Sequence, residues 1–141
     1  MRTLFLFALA GPLAAFAPNR GQLDQECLFA DSAVCFHATG FRVGWSSLEF
    51  ASPALSVELA GEQRGRGVTN YLAGVRAVTN VPMFNRLRYR GLYPGIDAVF
   101  YRNAQHEIEL DFELGAGVDP SAIRLLPHAP ARVLADRKSV V

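Results

Sequence analysis

Four acidic residues recur at every second position in one stretch of the chain, and their type and spacing come closest to a chemistry. They are Glu107, Glu109, Asp111 and Glu113, and the residues between them are Ile108, Leu110 and Phe112. Successive side chains of a β-strand point to opposite faces of the sheet. The spacing therefore predicts a half-buried strand that carries all four carboxylates on one face.

Three interpretations of this acidic face stay open. Glu107, Glu109 and Asp111 supply the hard oxygen ligands that Ca²⁺ prefers, so calcium is the one cofactor that the sequence suggests. A pair of carboxylates across a cleft is what a glycosidase needs. The interpretation we favour is a solvated face whose repulsion is relieved by basic residues on a neighbouring strand. Those residues are Arg86, Arg88 and Arg90.

Cys27 and Cys35 lie in two short apolar runs that Asp31 and Ser32 separate. In a hairpin centred on Asp31 the two cysteines are directly opposite each other, with Cα atoms about 4.5–5.5 Å apart, which is within the range that a disulfide spans. We therefore expect a disulfide, and two buried free thiols are the alternative. A zinc site needs more ligands than the two scattered histidines, His37 and His106, provide.

The first 17 residues have the layout of a secretory signal peptide. Arg2 gives a positive start, an apolar run covers residues 4–10, and Ala15 and Ala17 fit the small-x-small cleavage pattern. Pro18 is a poor residue to follow a cut, so cleavage a few residues earlier is the alternative. The leader predicts export to the extracellular space, the cell surface or the periplasm, and export provides the oxidising compartment that a disulfide requires.

Composition excludes several classes of partner and activity. The 141 residues suffice for one domain, and a net charge of +1 with 19% charged residues predicts no nucleic-acid partner. No apolar run reaches the roughly 20 residues that a transmembrane helix needs, so we predict no transmembrane span. The sequence contains no Gly-x-Ser-x-Gly elbow, no His-Glu-x-x-His and no phosphate-binding loop, so we predict no catalytic residues and no enzyme.

The elements that must position these residues are predicted to be strands. Period-two alternation covers residues 83–90, 96–101 and 106–112, with turns at residues 94–95 and 103–105. Further strands are predicted over residues 40–45, 47–50, 54–59 and 121–126, and residues 61–67 are predicted to be a mobile connector. No helical periodicity is present. The predicted fold is an all-β, largely antiparallel, sandwich-like domain over residues 18–135.

Nearly the whole chain after the leader resembles one known family. The most specific matching piece is Tyr93-Pro94-Gly95-Ile96-Asp97. The other pieces, in the family's order, are Asn19-Arg20-Gly21-Gln22, Asn70-Tyr71-Leu72 with Gly74, Thr79-Asn80-Val81-Pro82, Arg88-Tyr89, Tyr101, Glu109, Asp111-Phe112, Asp119-Pro120 and Ile123-Arg124-Leu125. With these pieces the chain is similar to an uncharacterised N-terminal domain of exported bacterial proteins, a domain of unknown function. That domain often precedes SBBP-type β-propeller repeats or immunoglobulin-like surface modules.

The resemblance implies location and architecture rather than chemistry. It implies a non-catalytic module of a larger secreted or surface bacterial protein, whose partners are downstream β-propeller or immunoglobulin-like repeats of the same polypeptide. The alternative function is glycan binding or glycan hydrolysis, against which the aromatic residues count because Tyr89, Phe100, Tyr101 and Phe112 are predicted to lie mostly in the core. The family's recurrent polar residues form either a shared site or turn and strand-end hydrogen bonds. They are Asn70, Asn80, Asp97, Glu109 and Asp111.

The chain departs from the family's pattern at three positions and at its C-terminus. The family usually has tryptophan, tyrosine and proline where this chain has Ala77, Leu110 and Ala116. Family members continue with at least one more strand, and residues 136–141 match what a common sequencing adaptor encodes before a stop. We therefore expect a domain that is truncated at its C-terminus, with residues 136–141 as a foreign tail.

Overall fold

The computed structural model describes residues 2–7, 16–31, 34–73 and 76–128, with residues 2–7 described by their backbone only. Within these ranges the chain forms β-strands, a 3₁₀ turn at Pro120–Ala122 and no α-helix. The strands are β1 Arg2–Phe7, β2 Ala17–Pro18, β3 Phe29–Asp31, β4 Val34–His37, β5 Gly40–Val43, β6 Ser46–Phe50, β7 Glu58–Tyr71, β8 Val78–Tyr93, β9 Ile96–Arg102, β10 Ile108–Leu114 and β11 Leu125–His128.

The strands form two antiparallel sheets whose inner faces share one core. The order is β1-β10-β9-β8-β7 in the five-stranded sheet and β11-β6-β5-β4-β3-β2 in the six-stranded sheet. Phe16, just before β2, exchanges two backbone hydrogen bonds of 2.8 Å with Phe84 of β8, so the chain links the two sheets at this corner. The predicted all-β, largely antiparallel sandwich is confirmed.

Aromatic rings from both sheets fill the core. Phe100 of β9 is fully buried, and its ring centroid lies 5.0 Å from that of Phe36, 5.5 Å from Phe41 and 5.6 Å from Tyr89. Rings that meet at steep angles bring a positive edge to a negative face, which contributes about 0.5–1.5 kcal/mol per pair beyond the area buried. Leu110 of β10 is fully buried in the same cluster, so the predicted alternation of the central strands is confirmed.

Two predicted turns join the central strands. Gly95 has φ 72°, the left-handed conformation that the third residue of a type II turn requires. A Cβ at this position would also lie 2.7 Å from a methyl group of Val118, so glycine is required for space as well. In the next loop, Asn103 Oδ1 accepts hydrogen bonds from the backbone N–H groups of Gln105 and Glu107, at 2.9 and 3.0 Å. Both turns are confirmed.

The predicted strand over residues 54–59 is wrong except at its last two residues, which begin β7. The alternation of Leu55, Val57 and Leu59 predicts a buried face, and Val57 and Leu59 do pack against the core, but Leu55 is fully exposed. The segment is irregular because Pro53 has no N–H to pair with a neighbouring strand and Ser52 adopts φ 48°.

The predicted mobile connector over residues 61–67 is also wrong, because these residues continue β7 against β8. Gly61 pairs with Leu87, and a Cβ on Gly61 would lie 2.4 Å from the ring of Phe84. The register shifts between Arg64 and Val68, so the remaining glycines lie in a bulge. Pairing with a long partner strand therefore overrides the low strand propensity of a glycine-rich run.

The predicted strand over residues 121–126 is only partly right. Asp119 Oδ1 accepts a hydrogen bond from the Ser121 N–H at 2.9 Å and caps the 3₁₀ turn that follows. Proline directly after a capping aspartate is a start signal for a helical turn, which the strand interpretation overlooked. The strand β11 begins only at Leu125, where it pairs with β6.

The predicted disulfide between Cys27 and Cys35 is confirmed, with Cα atoms 5.3 Å apart. The predicted hairpin geometry is wrong, because Cys35 lies opposite Ala30 and Asp31 lies opposite Val34. The hairpin is thus centred beyond Asp31, and Cys27, which precedes β3, reaches Cys35 diagonally. A disulfide that closes so short a loop stabilises the fold by about 2–3 kcal/mol at most.

The N-terminal segment contributes to the fold at two places. Strand β1, which lies within the predicted leader, pairs with β10 and brings Thr3 opposite Asp111. Phe16 and Ala17 are 1% and 4% exposed, so a boundary after residue 17 cuts through core contacts. The leader itself stays a prediction. The predicted foreign tail, residues 136–141, lies outside the described residues.

The hydroxyl group of Tyr89 joins the two sheets through a polar contact. It lies 2.7 Å from the carbonyl oxygen of His37 and 2.9 Å from that of Gly40, so its single proton is shared between two backbone acceptors. The ring is fully buried and packs against Phe50, with ring centroids 5.5 Å apart. One side chain of β8 thereby positions the β4–β5 hairpin of the opposite sheet.

Tyr93 and Arg102 make further polar contacts between the sheets. The Tyr93 hydroxyl donates to the carbonyl oxygen of Ala51 at 2.9 Å. Arg102 of β9 donates from Nε and Nη2 to the two carboxylate oxygens of Asp31, at 2.9 and 3.0 Å, and Asp31 is fully buried. Such two-pronged bonds satisfy a carboxylate that water cannot reach.

Replacing Tyr89 with phenylalanine should lower the free energy of unfolding by about 1–2 kcal/mol, because two carbonyl groups lose their donor while the ring packing is kept. Tyr71→Phe is the matched control, since Tyr71 is only partly buried and packs on a separate small cluster, and it should cost less than about 0.5 kcal/mol. Urea unfolding followed by circular dichroism measures both. Equal losses would contradict the role assigned to Tyr89.

The same variant should also change stability at alkaline pH. Burial, and then the nearby Glu49 charge, raises the pKa of Tyr89 well above its ordinary value of about 10. Above pH 10 the unfolded chain releases the proton of the Tyr89 hydroxyl while the folded chain retains it. The stability that the buried hydroxyl contributes is therefore present below pH 10 and is lost as the pH rises. Tyr89→Phe should reduce this loss without abolishing it, because burial raises the pKa of Tyr93 too.

Candidate functional site

The outward face of the five-stranded sheet carries a dense set of polar and charged side chains, here named the polar face. Outward residues of neighbouring strands align in rows because the strands are antiparallel and in register. One row runs from Arg86 through Tyr101 to Glu109, and the next row ends at Asp111. The members of the polar face are Glu58, Glu62, Arg86, Arg88, Arg90, Asp97, Tyr101, Glu109, Asp111 and Glu113.

Arg88 is the centre of an ion-pair network on the polar face. Its Nε donates to Glu62 at 2.6 Å, and its Nη1 donates to Glu113 at 2.6 Å and to Asp97 at 3.1 Å. The Arg88 side chain is only 15% exposed, so water screens these bonds weakly. One guanidinium group therefore holds carboxylates from β7, β9 and β10 together.

The network shifts the pKa values of its own charges. The hydrogen bond with Glu113 is the largest cause that raises the pKa of Arg88, and bonds with Glu62 and Asp97 add to it against desolvation. The bond from Arg88 in turn lowers the pKa of Glu113 below its ordinary value of 4.5. A general acid or base needs a pKa near the working pH. The network therefore has the properties of a structural ion pair and not of a proton-transfer site.

Glu109 and Tyr101 form a second polar group on this face. The Tyr101 hydroxyl donates to Glu109 Oε2 at 2.5 Å, and Asn103 Nδ2 donates to Glu109 Oε1 at 2.8 Å and to Glu107 at 3.0 Å. Burial, and then the bond to Glu109, raises the pKa of Tyr101, so the phenol keeps its proton. Tyr101 thus faces outward, unlike the core position predicted for it, whereas Phe112 does lie in the core.

Asp111 differs from its neighbours because one of its oxygens is unpaired. Its Oδ1 is buried without a hydrogen-bond partner, and the whole residue is 6% exposed. The Nε atom of Arg86 is also buried without a hydrogen bond, and both residues line a shallow depression of about 320 Å³. Leaving a buried polar atom without a partner costs about 1–3 kcal/mol. The fold therefore leaves polar atoms unsatisfied at this point of the polar face.

The predicted solvated acidic face is wrong in two respects. Glu109 and Asp111 are 7% and 6% exposed, so they are buried rather than solvated. Strand β9 separates the arginines of β8 from β10. In the ion pairs described, Arg86 and Arg88 contact one acidic residue of β10, Glu113. Arg90 instead pairs with Glu58 of β7 at 3.4 Å.

The calcium candidates Glu107, Glu109 and Asp111 follow one another along one side of the chain. Within the described ranges, no group of three or more His, Cys, Asp or Glu side chains is placed to hold a metal ion. Glu107 and Glu109 instead share the side-chain amide of Asn103. Calcium binding stays a prediction from the sequence.

The other recurrent polar residues of the family lie at turns and bulges. Asn70 Oδ1 accepts a hydrogen bond of 2.9 Å from the backbone of Asn80, which has φ 59°. Asp97 Oδ1 accepts one of 2.8 Å from the backbone of Gly91, which has φ 61° at a break in the β8–β9 register. Their hydrogen bonds are of the kind that stabilise tight turns and strand irregularities.

Sequence reasoning missed the role of Asn19. Its Nδ2 donates to the carbonyl oxygens of Asp24 and Cys27, at 2.9 and 2.7 Å, and its Oδ1 accepts from the N–H of Gly21 at 2.9 Å. The side chain therefore closes the loop that leads into the disulfide. The signal was present in the sequence, because an asparagine two residues before a glycine is typical of such a turn.

Sequence reasoning also missed a histidine–carboxylate pair on the six-stranded sheet. His37 Nε2 lies 2.7 Å from Glu49 Oε1, and Thr39 Oγ1 donates to Glu49 Oε2 at 2.6 Å. Ser47 lines the same depression of about 510 Å³. A histidine oriented by a carboxylate can activate a nucleophile that it hydrogen-bonds. Among the hydrogen bonds described, none joins Ser47 to His37.

Arg88→Gln should lower the free energy of unfolding by about 1–3 kcal/mol, because three carboxylates lose their shared cation. Arg90→Gln is the matched control, since its pair with Glu58 is largely exposed, and it should cost less than about 0.5 kcal/mol.

A second effect of Arg88→Gln concerns acid pH. Because the pKa of Glu113 is lowered, the stability that its ionised carboxylate contributes is present above about pH 4.5 and is lost as the pH falls. Arg88→Gln should weaken this acid loss, and urea unfolding at pH 7 and pH 4 measures both effects. Similar behaviour of the two variants would refute the central place of Arg88.

Among the described residues, no helix is long and apolar enough to cross a membrane.

Comparison with known proteins identifies a family. A family model described as a domain of unknown function, DUF7948, matches residues 32–136, which is well over half of the chain. No curated protein and no solved structure matches the chain. The predicted resemblance to an uncharacterised domain is therefore confirmed, and the chain belongs to the DUF7948 family of domains of unknown function.

Proposed function

We propose that this domain is a non-catalytic module of a larger exported bacterial protein, where it packs against downstream repeats of the same polypeptide. The observation that carries the proposal is that the fold itself uses the family's recurrent polar residues. Asn70, Asp97 and Glu109 each hydrogen-bond to groups of their own domain. Residues that maintain turns and strand ends support a scaffold role rather than a reaction.

Two features support export. The disulfide between Cys27 and Cys35 is of the kind that forms and persists in oxidising compartments, which include the periplasm, the cell surface and the extracellular space. The apolar run over residues 4–10, after the positive Arg2, supports a cleaved leader. The downstream repeats we propose as partners are of the SBBP β-propeller or immunoglobulin-like kind, on the strength of the resemblance.

Export of the full chain from a bacterial host should remove the leader upstream of Phe16. Phe16 is buried, and it exchanges two backbone hydrogen bonds with Phe84, so a later cut would remove part of the core. Intact mass and N-terminal sequencing of the exported protein measure the cut. Arg2→Glu, which removes the positive charge of the leader, should reduce export.

The control for this measurement is the same chain expressed without access to the export machinery. It should keep its leader, and its two cysteines should be reduced in the cytosol. A chain that stays unprocessed and cytosolic in the export-competent host would contradict the proposal. An N-terminus that begins after Phe16 in a folded protein would contradict only the predicted position of the cut.

Glycan binding is the second candidate function, because the single tryptophan is exposed. Trp45 is 80% exposed and lies in the β5–β6 turn after Gly44, which has φ 58°. An exposed aromatic ring offers an apolar surface with a polar edge on which a sugar ring can pack. Trp45 belongs to the six-stranded sheet, however, whereas Glu109 and Asp111 belong to the other sheet. The exposed ring and the acidic strand therefore do not combine into one hydrolytic site.

Trp45 provides the test that separates the two candidates, because it is the only tryptophan and its emission reports on one position. If the domain is a scaffold, that emission should not change when cellohexaose, maltohexaose or chitohexaose is added to about 1 mM, a concentration that detects even weak binding. Quenching by acrylamide confirms that the ring is accessible. A saturable shift of the emission with any of the three sugars would favour glycan binding.

A further inference from the structure

Three strands at sheet edges carry features that oppose the addition of another strand. Strand β2 has two residues and contains Pro18, and β11 contains Pro127. Strand β7 shifts register between Arg64 and Val68 and carries the exposed Arg66 in the bulge. Prolines, bulges and exposed charges are the features by which natural sheets block edge-to-edge pairing.

Strand β10 has instead the composition of an interior strand. Residues 108–114 contain no proline, glycine, lysine or arginine, and residues 108–112 are all buried. Ile108, Leu110 and Phe112 belong to the aromatic core. On the side away from β9, β10 pairs with β1. Without β1, a core strand presents unpaired N–H and C=O groups at the edge of the sheet.

The whole of β1 lies within the predicted leader. It pairs antiparallel with β10, from Arg2 opposite Phe112 to Phe7 opposite Ile108. Cleavage upstream of Phe16 therefore removes β1 and leaves β10 at the edge. The pairing also shows that this edge accommodates an extended antiparallel segment of six residues, with a register shift between Phe5 and Phe7.

We propose that the β10 edge is the docking surface of this domain, and that it receives an added strand from the downstream part of the exported polypeptide. The proposal rests on the proposed function, because export must first remove the leader. In β-strand addition the main-chain hydrogen bonds provide affinity, and alternate side chains provide specificity. Both are available at β10, which combines an open backbone edge with a strictly alternating sequence.

The side chains of β10 define the chemistry of the added strand. Pairing over the core requires apolar residues opposite Ile108, Leu110 and Phe112. The residues between them face Glu109 and Asp111, so Lys, Arg, Ser or Thr are favourable there and Asp or Glu are not. A second copy of β10 does not fit, because keeping both apolar rows over the core places acidic residues opposite acidic residues.

The test uses the full 141-residue chain, exported from a bacterial host and studied by NMR amide hydrogen exchange. The probe is the heptapeptide Lys-Val-Thr-Val-Lys-Val-Thr. One matched control peptide has glutamate in place of both lysines, and the other has proline in place of the central valine. The lysine peptide should slow exchange of the amides of residues 108–112 that point away from β9 by at least about tenfold, and neither control should do so.

A variant of the protein provides a second reading of the same contact. Asp111→Asn keeps the side-chain shape and removes the charge that lies between the two lysines of the bound peptide, diagonal to each of them, so it should weaken binding about two- to fivefold. Glu58→Gln is the matched control, because Glu58 lies on β7 at the far side of the same sheet and should not affect binding. Chemical-shift titration with the lysine peptide measures both variants.

Several results would overturn the proposal. The intact mass of the exported protein shows whether the leader was removed, and so separates failure of the docking proposal from failure of the proposed function. A chain that keeps its leader refutes export and leaves the edge to β1. A processed chain whose exchange the lysine peptide does not change refutes the docking surface alone. Equal protection by all three peptides indicates binding without strand pairing. A dimer whose residues 108–112 are protected without peptide assigns the edge to a second copy.

Discussion

The buried hydroxyl group of Tyr89 is the contact on which the arrangement of the two sheets depends. A tyrosine ring is large enough to fill the centre of the core, and its polar tip here lies between two carbonyl oxygens of the opposite sheet. The ring also packs against Phe50 and Phe100, so one residue combines apolar packing with a backbone contact. Strand alternation then sends the preceding residue, Arg88, to the outer face, where it gathers three carboxylates. The Arg88-Tyr89 pair thus organises both faces of the same sheet.

The outer face of that sheet behaves more like a cover than like an open binding surface. Val99 points outward, between Arg88 and Asp111 in register, and yet it is fully buried. Arginine stems commonly cover apolar surface, and Arg88 is the register neighbour of Val99 on β8. Glu109 and Asp111 are buried in the same region, where carboxylate oxygens need hydrogen-bond donors from the protein because water reaches them little. The Oδ1 atom of Asp111 is an exception, because it has no hydrogen-bond partner.

The edges of the sandwich are the basis of the docking surface proposed for this domain. A β-sheet must pair, shorten or disrupt each exposed edge, because unpaired backbone groups attract other strands. This chain disrupts the edge strands β2, β7 and β11, whereas β10, which only β1 separates from the fourth edge, is regular, apolar on its inner side and acidic on its outer side. Several polar motif residues maintain turns and strand ends of the domain itself, and the β10 edge is suited to strand addition once β1 is removed. Both features support the proposed role as a module of a longer polypeptide.

The sequence by itself determined the inward faces of β8 and β10, the turns of the central meander and the disulfide. These features depend on period-two alternation, on the positive φ of Gly95 and on two cysteines a few residues apart, all of which are local. Tertiary structure alone decided which strands are neighbours and which acids are buried. Strand β9 separates the arginines from most of the acidic row. The glycine-rich run pairs with β8, and the ring of Phe84 occupies the space that a Cβ on Gly61 would need. The physical reason is that strand order and burial arise from pairing between residues far apart in the chain, which alternation within one strand does not encode.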